Sequence, residues 1–299
     1  MIPLKVFVSE ASAADLLRQV RWRDGVYCPH CRSDSVIKYG SYRVFQRYRC
    51  KDCDQTFNDK TGTIFAYSKI ALRLWFVAVY SFLRFRSSVR QLDAELAVSY
   101  RSMHQLIKRV CRSLDCRVPN FGDVIEIDEV YVTAGLKGRE RDQASRSRAL
   151  SQRGRGTYDS DKVPVLIVTD RQSGNSYTIP AKHADSSTIK LILGVEDYTE
   201  DDPLTVCTDE FTTYDFLDED DRFIHKVVTH SEGEYATEDG DVHVNTCESQ
   251  GSLLRSWLSS HRGVSKDRLT PYLRAFDLRR QIRRKPGKEA LKEIIQAML

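Results

Sequence analysis

Apolar positions change their spacing along this chain, and the changes divide it. In "VIKYGSYRVFQRYRC", from Val36 to Cys50, apolar and polar residues alternate on either side of Gly40, which predicts two strands turning at that glycine. "SKIALRLWFVAVYSFLRFR" (68–86) is long and apolar enough for a buried helix. "SSVRQLDAELAVSYRSMHQLIKRVCRSL" predicts two more helices, a short one over 91–96 and a second capped by Ser99 or Ser102. On that second helix Met103, Leu106, Ile107 and Val110 recur at spacings of three and four, an inward face. Arg101, His104, Gln105, Lys108, Arg109 and Arg112 fall largely on the other face. A short helix, a tight turn and a polar-basic helix describe a helix-turn-helix, whose second helix can enter a DNA major groove. An ordinary helical linker with a solvated face would carry the same pattern.

Past residue 122 the period shortens. "DVIEIDEVYV" (123–132) reads as a strand with Asp128 at its middle, a costly place for a carboxylate without a purpose. "VPVLIVTDRQSGNSYTIPAKHA" predicts two antiparallel strands joined at "SGN", and "SSTIKLILGV" a serine-capped helix. "DPLTVCTDEFTTY" is an apolar strand ending on Asp209, and "HKVVTHSEGEYA" adds a short one. "HVNTCESQGSLLRSWLSSHRG" opens a helix near Asn245 or Thr246. Three strands, a helix, two strands and a helix match the order of a ribonuclease-H-like α/β fold with a mixed five-stranded sheet. The stretch 133–162, with "KGRERDQASRSRALSQRGRG", has no place in that order and reads as a flexible basic insertion.

Charge follows the same boundaries. Residues 1–122 carry 21 Lys/Arg against 10 Asp/Glu, a net of +11. Residues 123–248 carry 13 against 28, a net of −15, and residues 249–299 carry 12 against 4, a net of +8. Basic ends suit a polyanion, and an acidic middle can gather carboxylates around metal. With 299 residues the chain has room for two or three domains. The division expected is 1–62, a short helix and a cysteine module; 63–118, helical and helix-turn-helix-like; 119–285, α/β, with the insertion at 133–162; and a tail at 286–299. No window offers the ~20 apolar residues of a membrane span, and the N-terminus has no secretory pattern. A cytoplasmic, DNA-associated protein is expected.

Four of the eight cysteines form two pairs, Cys28/Cys31 and Cys50/Cys53, separated by 18 residues. A two-residue spacer lets paired thiolates turn back toward one ion, and two such knuckles on a hairpin make a zinc ribbon. Redox pairs normally occur singly, on a thioredoxin-like unit. The expectation is structural Zn2+ on Cys28, Cys31, Cys50 and Cys53. Arg43, Arg47 and Arg49 alternate with aromatic residues on the hairpin, a composition suited to phosphate contact. Cys111, Cys116, Cys207 and Cys247 are scattered, which speaks for a reducing compartment.

In the acidic middle, Asp128 lies mid-strand, Asp209 at a strand end and Glu248 at a helix start. Carboxylates so grouped bind hard divalent cations, and two such ions can drive phosphodiester chemistry. Glu126, Glu129 and Glu210 compete for the same part.

"IEIDEVYV", "CTDEF" and "HVNTCESQGSLLRSWLSSHRGVSKDRLTPYLRAF", behind "CPHC…CKDC", resemble transposases of the IS1595 group, also called ISXO2-like, from about residue 8 to 283. The resemblance implies a zinc ribbon ahead of a ribonuclease-H-like DDE domain that cuts and joins DNA with Mg2+ or Mn2+. Carried over, Asp128 and Asp209 are the first two metal-binding carboxylates, and Glu248 the third, with Asn245 its competitor. Arg255, two helical turns after Glu248, stands where these enzymes place a cation against DNA phosphate. His243 contacts metal or DNA, or is a plain hydrogen-bonded histidine. Gln250 and Gly251 replace an aromatic common after the glutamate. The partners implied are the terminal inverted repeats and target DNA, a homo-oligomer on that DNA, and no membrane, in a prokaryotic cell. Arg274, Arg279, Arg280, Arg283, Arg284 and Lys285 would add phosphate contacts. A nuclease that cuts without joining, or a DNA-binding regulator with a degenerate acidic domain, would share much of this sequence.

Overall fold

The structure is a computed structural model and describes residues 2–114, 121–135, 162–180, 186–193, 198–199, 201–209, 212–228, 243–261 and 263–299. The expected insertion at 133–162 lies almost wholly outside these residues, as does Glu210. The chain divides into two compact units, Met1–Asp115 with Ile282–Leu299, and Cys116–Gln281.

In the first unit, helix α1 (Leu4–Val8) leads into α2 (Glu10–Arg21), capped by the Ser9 hydroxyl, which accepts from the Ser12 amide at 3.2 Å. Strands β1 (Val36–Tyr42), β2 (Phe45–Cys50) and β3 (Thr56–Asn58) form an antiparallel sheet. The turn expected at Gly40 falls instead at Arg43 and Val44. Gly40, with φ +74°, sits where the register of β1 slips between Lys38 and Ser41, a bulge that a residue without Cβ accommodates. Fully buried Asp59 ties this sheet to α2. Its carboxylate accepts from Arg18 Nη2 at 2.9 Å, Trp22 Nε1 at 3.3 Å and the Gln46 amide at 2.9 Å.

Helix α3 (Leu72–Phe85) is capped from a distance, the Glu10 carboxylate accepting from the amides of Leu72 at 2.8 Å and Arg73 at 3.0 Å. Helix α4 (Val89–Leu96) opens on a Ser88/Gln91 capping box, and α5 (Tyr100–Ser113) on Ser99. Between them Ala97 takes a left-handed conformation, φ 50°. The inner face of α5 is Met103, Leu106, Ile107 and Val110, all buried as their spacing requires.

In the second unit the strands are β4 (Val124–Gly135), β5 (Lys162–Asp170), β6 (Ser176–Pro180), β7 (Leu204–Asp209) and β8 (Phe223–Val228), in sheet order β6-β5-β4-β7-β8. Helix α6 (Ser186–Leu193) follows β6, and a 3-10 segment (Thr212–Leu217) follows β7. β4 is antiparallel to β5 and parallel to β7, so the sheet is mixed, with β4 at its centre. Ile125, Ile127, Val206, Ile189 and Tyr214 are among the side chains of its core cluster. Helix α7 (Asn245–Ser260) lies against β4 and β5; the short strand β9 (Val264–Ser265) pairs with the end of β4, and α8 (Leu269–Ile282) follows. Helix α9 (Gly287–Ala297) packs on α2 and α3 within the first unit. From β4 to α7 the strand and helix order read from the sequence is the order observed; β3, β9 and α8 were not read from it.

Candidate functional site

Two groups of side chains could hold cations. In the first, the sulfurs of Cys28, Cys31, Cys50 and Cys53 all lie within 4.8 Å of one another, with Cys28–Cys53 and Cys31–Cys50 each 3.6 Å apart. The two knuckles are built alike: the residue after each second cysteine, Arg32 and Asp54, takes a left-handed φ of 67° and 58°. The chain turns back in each, Arg32 N–H donating to the Cys28 carbonyl at 2.9 Å and Cys50 N–H to the Gln55 carbonyl at 3.0 Å. Backbone amides, that of Cys53 above all, draw the Cys50 thiol down to about 7, toward the thiolate that a metal binds. Four converging soft donors fit Zn2+.

The ribbon also carries an exposed aromatic and basic face. Tyr39 and Tyr42 are exposed, with the Arg47 and Arg49 guanidinium groups over Tyr39 at 5.6 and 5.7 Å, and Arg43 over Tyr42 at 5.7 Å. Arg49 is also paired with Asp54 at 2.6 Å. On α5, Arg101 and Arg109 are exposed and Lys108 half-buried; Arg109 stands 5.8 Å over the Trp75 ring.

The second group is carboxylic and assembled from distant segments. β4 and β7 run in register, Val124 beside Thr205 and Glu126 beside Cys207. The paired register ends there; Asp128 and Asp209 each stand two residues further on, where strand alternation assigns them to the face of Glu126 and Cys207, and the charge of Asp209 acts on Asp128. Helix α7 covers that face. Its amides at Thr246 and Cys247 meet Glu126 and its Gly251 approaches Val130; Glu248, between them in sequence, is exposed and its charge acts on Asp128. Burial pushes Asp128 up to about 6, and the charges of Asp209, Glu248 and Glu129 push the same way, against a hydrogen bond from the Glu129 amide at 2.7 Å. Among the described residues only the four cysteines bring three or more such donor atoms within 4.8 Å of one another, so the carboxylates share a face without closing to that distance. Hard oxygen donors gathered in this way fit Mg2+ or Mn2+ rather than a soft metal.

Asn245 is exposed at the first residue of α7, one turn before Glu248. His243 Nδ1 lies 3.2 Å from Glu126, and its carbonyl accepts from Arg171 at 2.8 Å. Arg255 is exposed on α7, with Nε 3.4 Å from the Tyr131 carbonyl.

Three features were not legible beforehand. Glu126, a rival ligand by sequence, is fully buried and holds the start of α7. Arg171, an unremarked strand-end cation, pairs with it at 3.0 Å. Gly251 stands where the aromatic was expected because a Cβ there would come 3.2 Å from Val130 Cγ2. Its absence lets the helix lie close to β4, and the neighbouring Gln250 is buried instead. The expectation that Arg274 contacts phosphate is corrected. It is buried, pairs with Asp277 at 3.0 Å and stacks on Tyr177 at 3.9 Å.

A mixed sheet follows a four-cysteine ribbon in one chain, the organisation of an α/β domain behind a structural-metal module. Residues 121–281 match the model of the ISXO2-like transposase domain, and residues 8–56 that of the transposase zinc-ribbon domain. The chain belongs to the ISXO2-like transposases. It is 61% identical, over the full length of both chains, to a Halobacterium salinarum protein described as an uncharacterized protein in transposable element ISH50. Its function is that of a transposase. No helix among the described residues is long and apolar enough to cross a membrane.

Proposed function

We propose that the chain cuts DNA at the ends of an insertion sequence and joins the freed ends to target DNA, using Asp128, Asp209 and Glu248 as its catalytic carboxylates. In this reading residues 119–285 are a ribonuclease-H-like DDE domain, residues 1–62 the ribbon and 63–118 a helix-turn-helix. The observation that supports the site is the common face of the three carboxylates, with Asp209 and Glu248 both acting on the charge of Asp128.

The three side chains would hold Mg2+ or Mn2+, which when bound supplies activation of an attacking oxygen and stabilisation of charge at phosphorus. The chain's own part is positional. In this reading β4 and β7 present Asp128 and Asp209 to one ion, and the start of α7 contributes Glu248. Glu248 is preferred to Asn245 because a carboxylate offers a hard divalent cation a charged oxygen donor and an amide does not. Arg255, two turns on, would hold a DNA phosphate as a bidentate donor. Arg43, Arg47 and Arg49 on the ribbon, with Arg101, Lys108 and Arg109 on α5, would grip the terminal repeats. Joining two ends calls for a homo-oligomer on the DNA, and the setting is a prokaryotic cell.

The test uses the DNA that flanks the reading frame as substrate. Cleavage and joining should require a divalent ion and be lost in Asp128→Asn while DNA binding survives. Cutting without joining would make the chain a nuclease. Binding without cutting in the wild type would make it a regulator, and unchanged cutting in Asp128→Asn would reject the site.

A further inference from the structure

The buried carboxylate of Glu126 is the best-connected acid in the second unit. Its Oε2 accepts from the amides of Thr246 at 2.8 Å and Cys247 at 3.0 Å. Its Oε1 accepts from the Thr246 hydroxyl at 2.8 Å and Arg171 Nε at 3.0 Å. His243 Nδ1 stands 3.2 Å from the same Oε1. A carboxylate offers about four acceptor sites, so the four donors leave none for a metal ion. Glu126 therefore does not join its strand neighbour Asp128 as a ligand, although both lie on one face of β4. Arg171, at the end of β5, extends the connection. Its Nη2 donates to the His243 carbonyl at 2.8 Å and to Cys207 Sγ at 3.5 Å. One ion pair thus joins β4, β5, β7 and the residues that open α7. The free amides at the start of a helix need acceptors, and here a buried side chain of the central strand supplies them.

We propose that Glu126, held by Arg171, is a positioning residue that fixes the first turn of α7 and so sets the affinity of the carboxylate face for a divalent cation. The proposal rests on the reading of Asp128, Asp209 and Glu248 given above. Thr246 stands two residues before Glu248, within the same helical turn, so any slip of this anchor is carried to the third carboxylate. Partners at this remove from a metal commonly alter its affinity by about 10–100-fold when lost.

The zinc-loaded full chain is titrated with Mn2+, and free Mn2+ is followed by its paramagnetic resonance signal, without DNA. Glu126→Gln keeps the shape but turns one acceptor into a donor facing donors. It should raise the half-saturating Mn2+ concentration by about tenfold or more. A merely structural, charge-balancing role is separated by the double variant Glu126→Gln/Arg171→Met. This leaves no buried charge unpaired and should recover thermal stability, but it should not recover Mn2+ affinity. Should Glu126→Gln fail to fold, Thr246→Val, which removes one of the four bonds, is expected to weaken Mn2+ binding by roughly threefold, a modest share of the loss expected for such a partner. Wild-type affinity in Glu126→Gln, its recovery in the double variant, or no change in Thr246→Val would overturn the proposal. Asp128→Asn is the control for the underlying site. If it weakens Mn2+ binding and Glu126→Gln does not, the positioning role alone fails. If Asp128→Asn leaves binding unchanged, the carboxylate site fails and the positioning role with it.

Discussion

The four cysteines of the ribbon and the three carboxylates proposed for catalysis are brought together on opposite plans. The ribbon draws four sulfurs from Cys28 to Cys53, on two knuckles of one hairpin, and brings them within 4.8 Å. The proposed second set draws Asp128, Asp209 and Glu248 from two strands and a helix, and does not close to that distance. In the ribbon, local turns alone create the geometry. In the acidic unit, geometry depends on sheet register, on the Glu126–Arg171 pair and on a glycine that admits the helix. A ligand set made locally can serve stability; one made by the whole fold can be tuned, and suits chemistry.

The comparison breaks most visibly at the ribbon. Structural zinc is worth about 10–16 kcal/mol in small zinc modules, so Cys50→Ser or a strong chelator should unfold that hairpin. Aromatic signals from Tyr48 and Phe57, stacked at 5.3 Å, would report it. In Cys50→Ser, Mn2+ binding by the acidic unit should persist.

A second difference is electrostatic. The carboxyl of Asp128, raised to about 6 by burial and by its acidic neighbours, keeps a proton in the folded chain that the unfolded chain has released. Between about pH 4 and pH 6 the metal-free protein should therefore lose stability as pH rises, by up to about 2–3 kcal/mol. Denaturant titrations across that range should show the slope, and Asp128→Asn should reduce it, leaving the part due to Asp277, which burial raises to about 7, and be the more stable protein above pH 6. A divalent ion should have the same stabilising effect on the wild type.

The strand and helix order was legible because hydrophobic period survives in sequence, and the zinc site because its spacing is local. So were Asp128 and Asp209, one in mid-strand and the other at a strand end. The anchoring of α7 was not. Glu126 is one of many acids, and nothing in "IEIDEVYV" tells that two amides some 120 residues away will meet it. The role of Gly251 was hidden for a related reason: a missing side chain signals close approach only when the surface it approaches is known. The turn at Arg43 rather than Gly40 shows the same limit at short range, since a left-handed glycine serves a bulge as well as a turn.

Gly251 offers a sharper test of how the helix is seated. A large residue there must push α7 away from Val130 and Ile167. Gly251→Leu should cost about 1–3 kcal/mol of stability by overpacking, read from chemical denaturation, and should weaken Mn2+ binding, whereas changes on the ribbon should leave that binding intact. The smallest effect belongs to the ribbon's surface. If Arg43 meets a phosphate, Arg43→Ala should lower the slope of log affinity against log salt by about 0.9, in anisotropy titrations with duplex DNA.

The central claim is that Asp128, Asp209 and Glu248 grip one cation site. Anomalous diffraction from crystals of the full chain grown with Mn2+ tests it most directly. The account predicts a manganese peak in direct contact with carboxylate oxygens of all three residues. A peak bound by Glu126, or one held by Asn245 with Glu248 turned away, would contradict it.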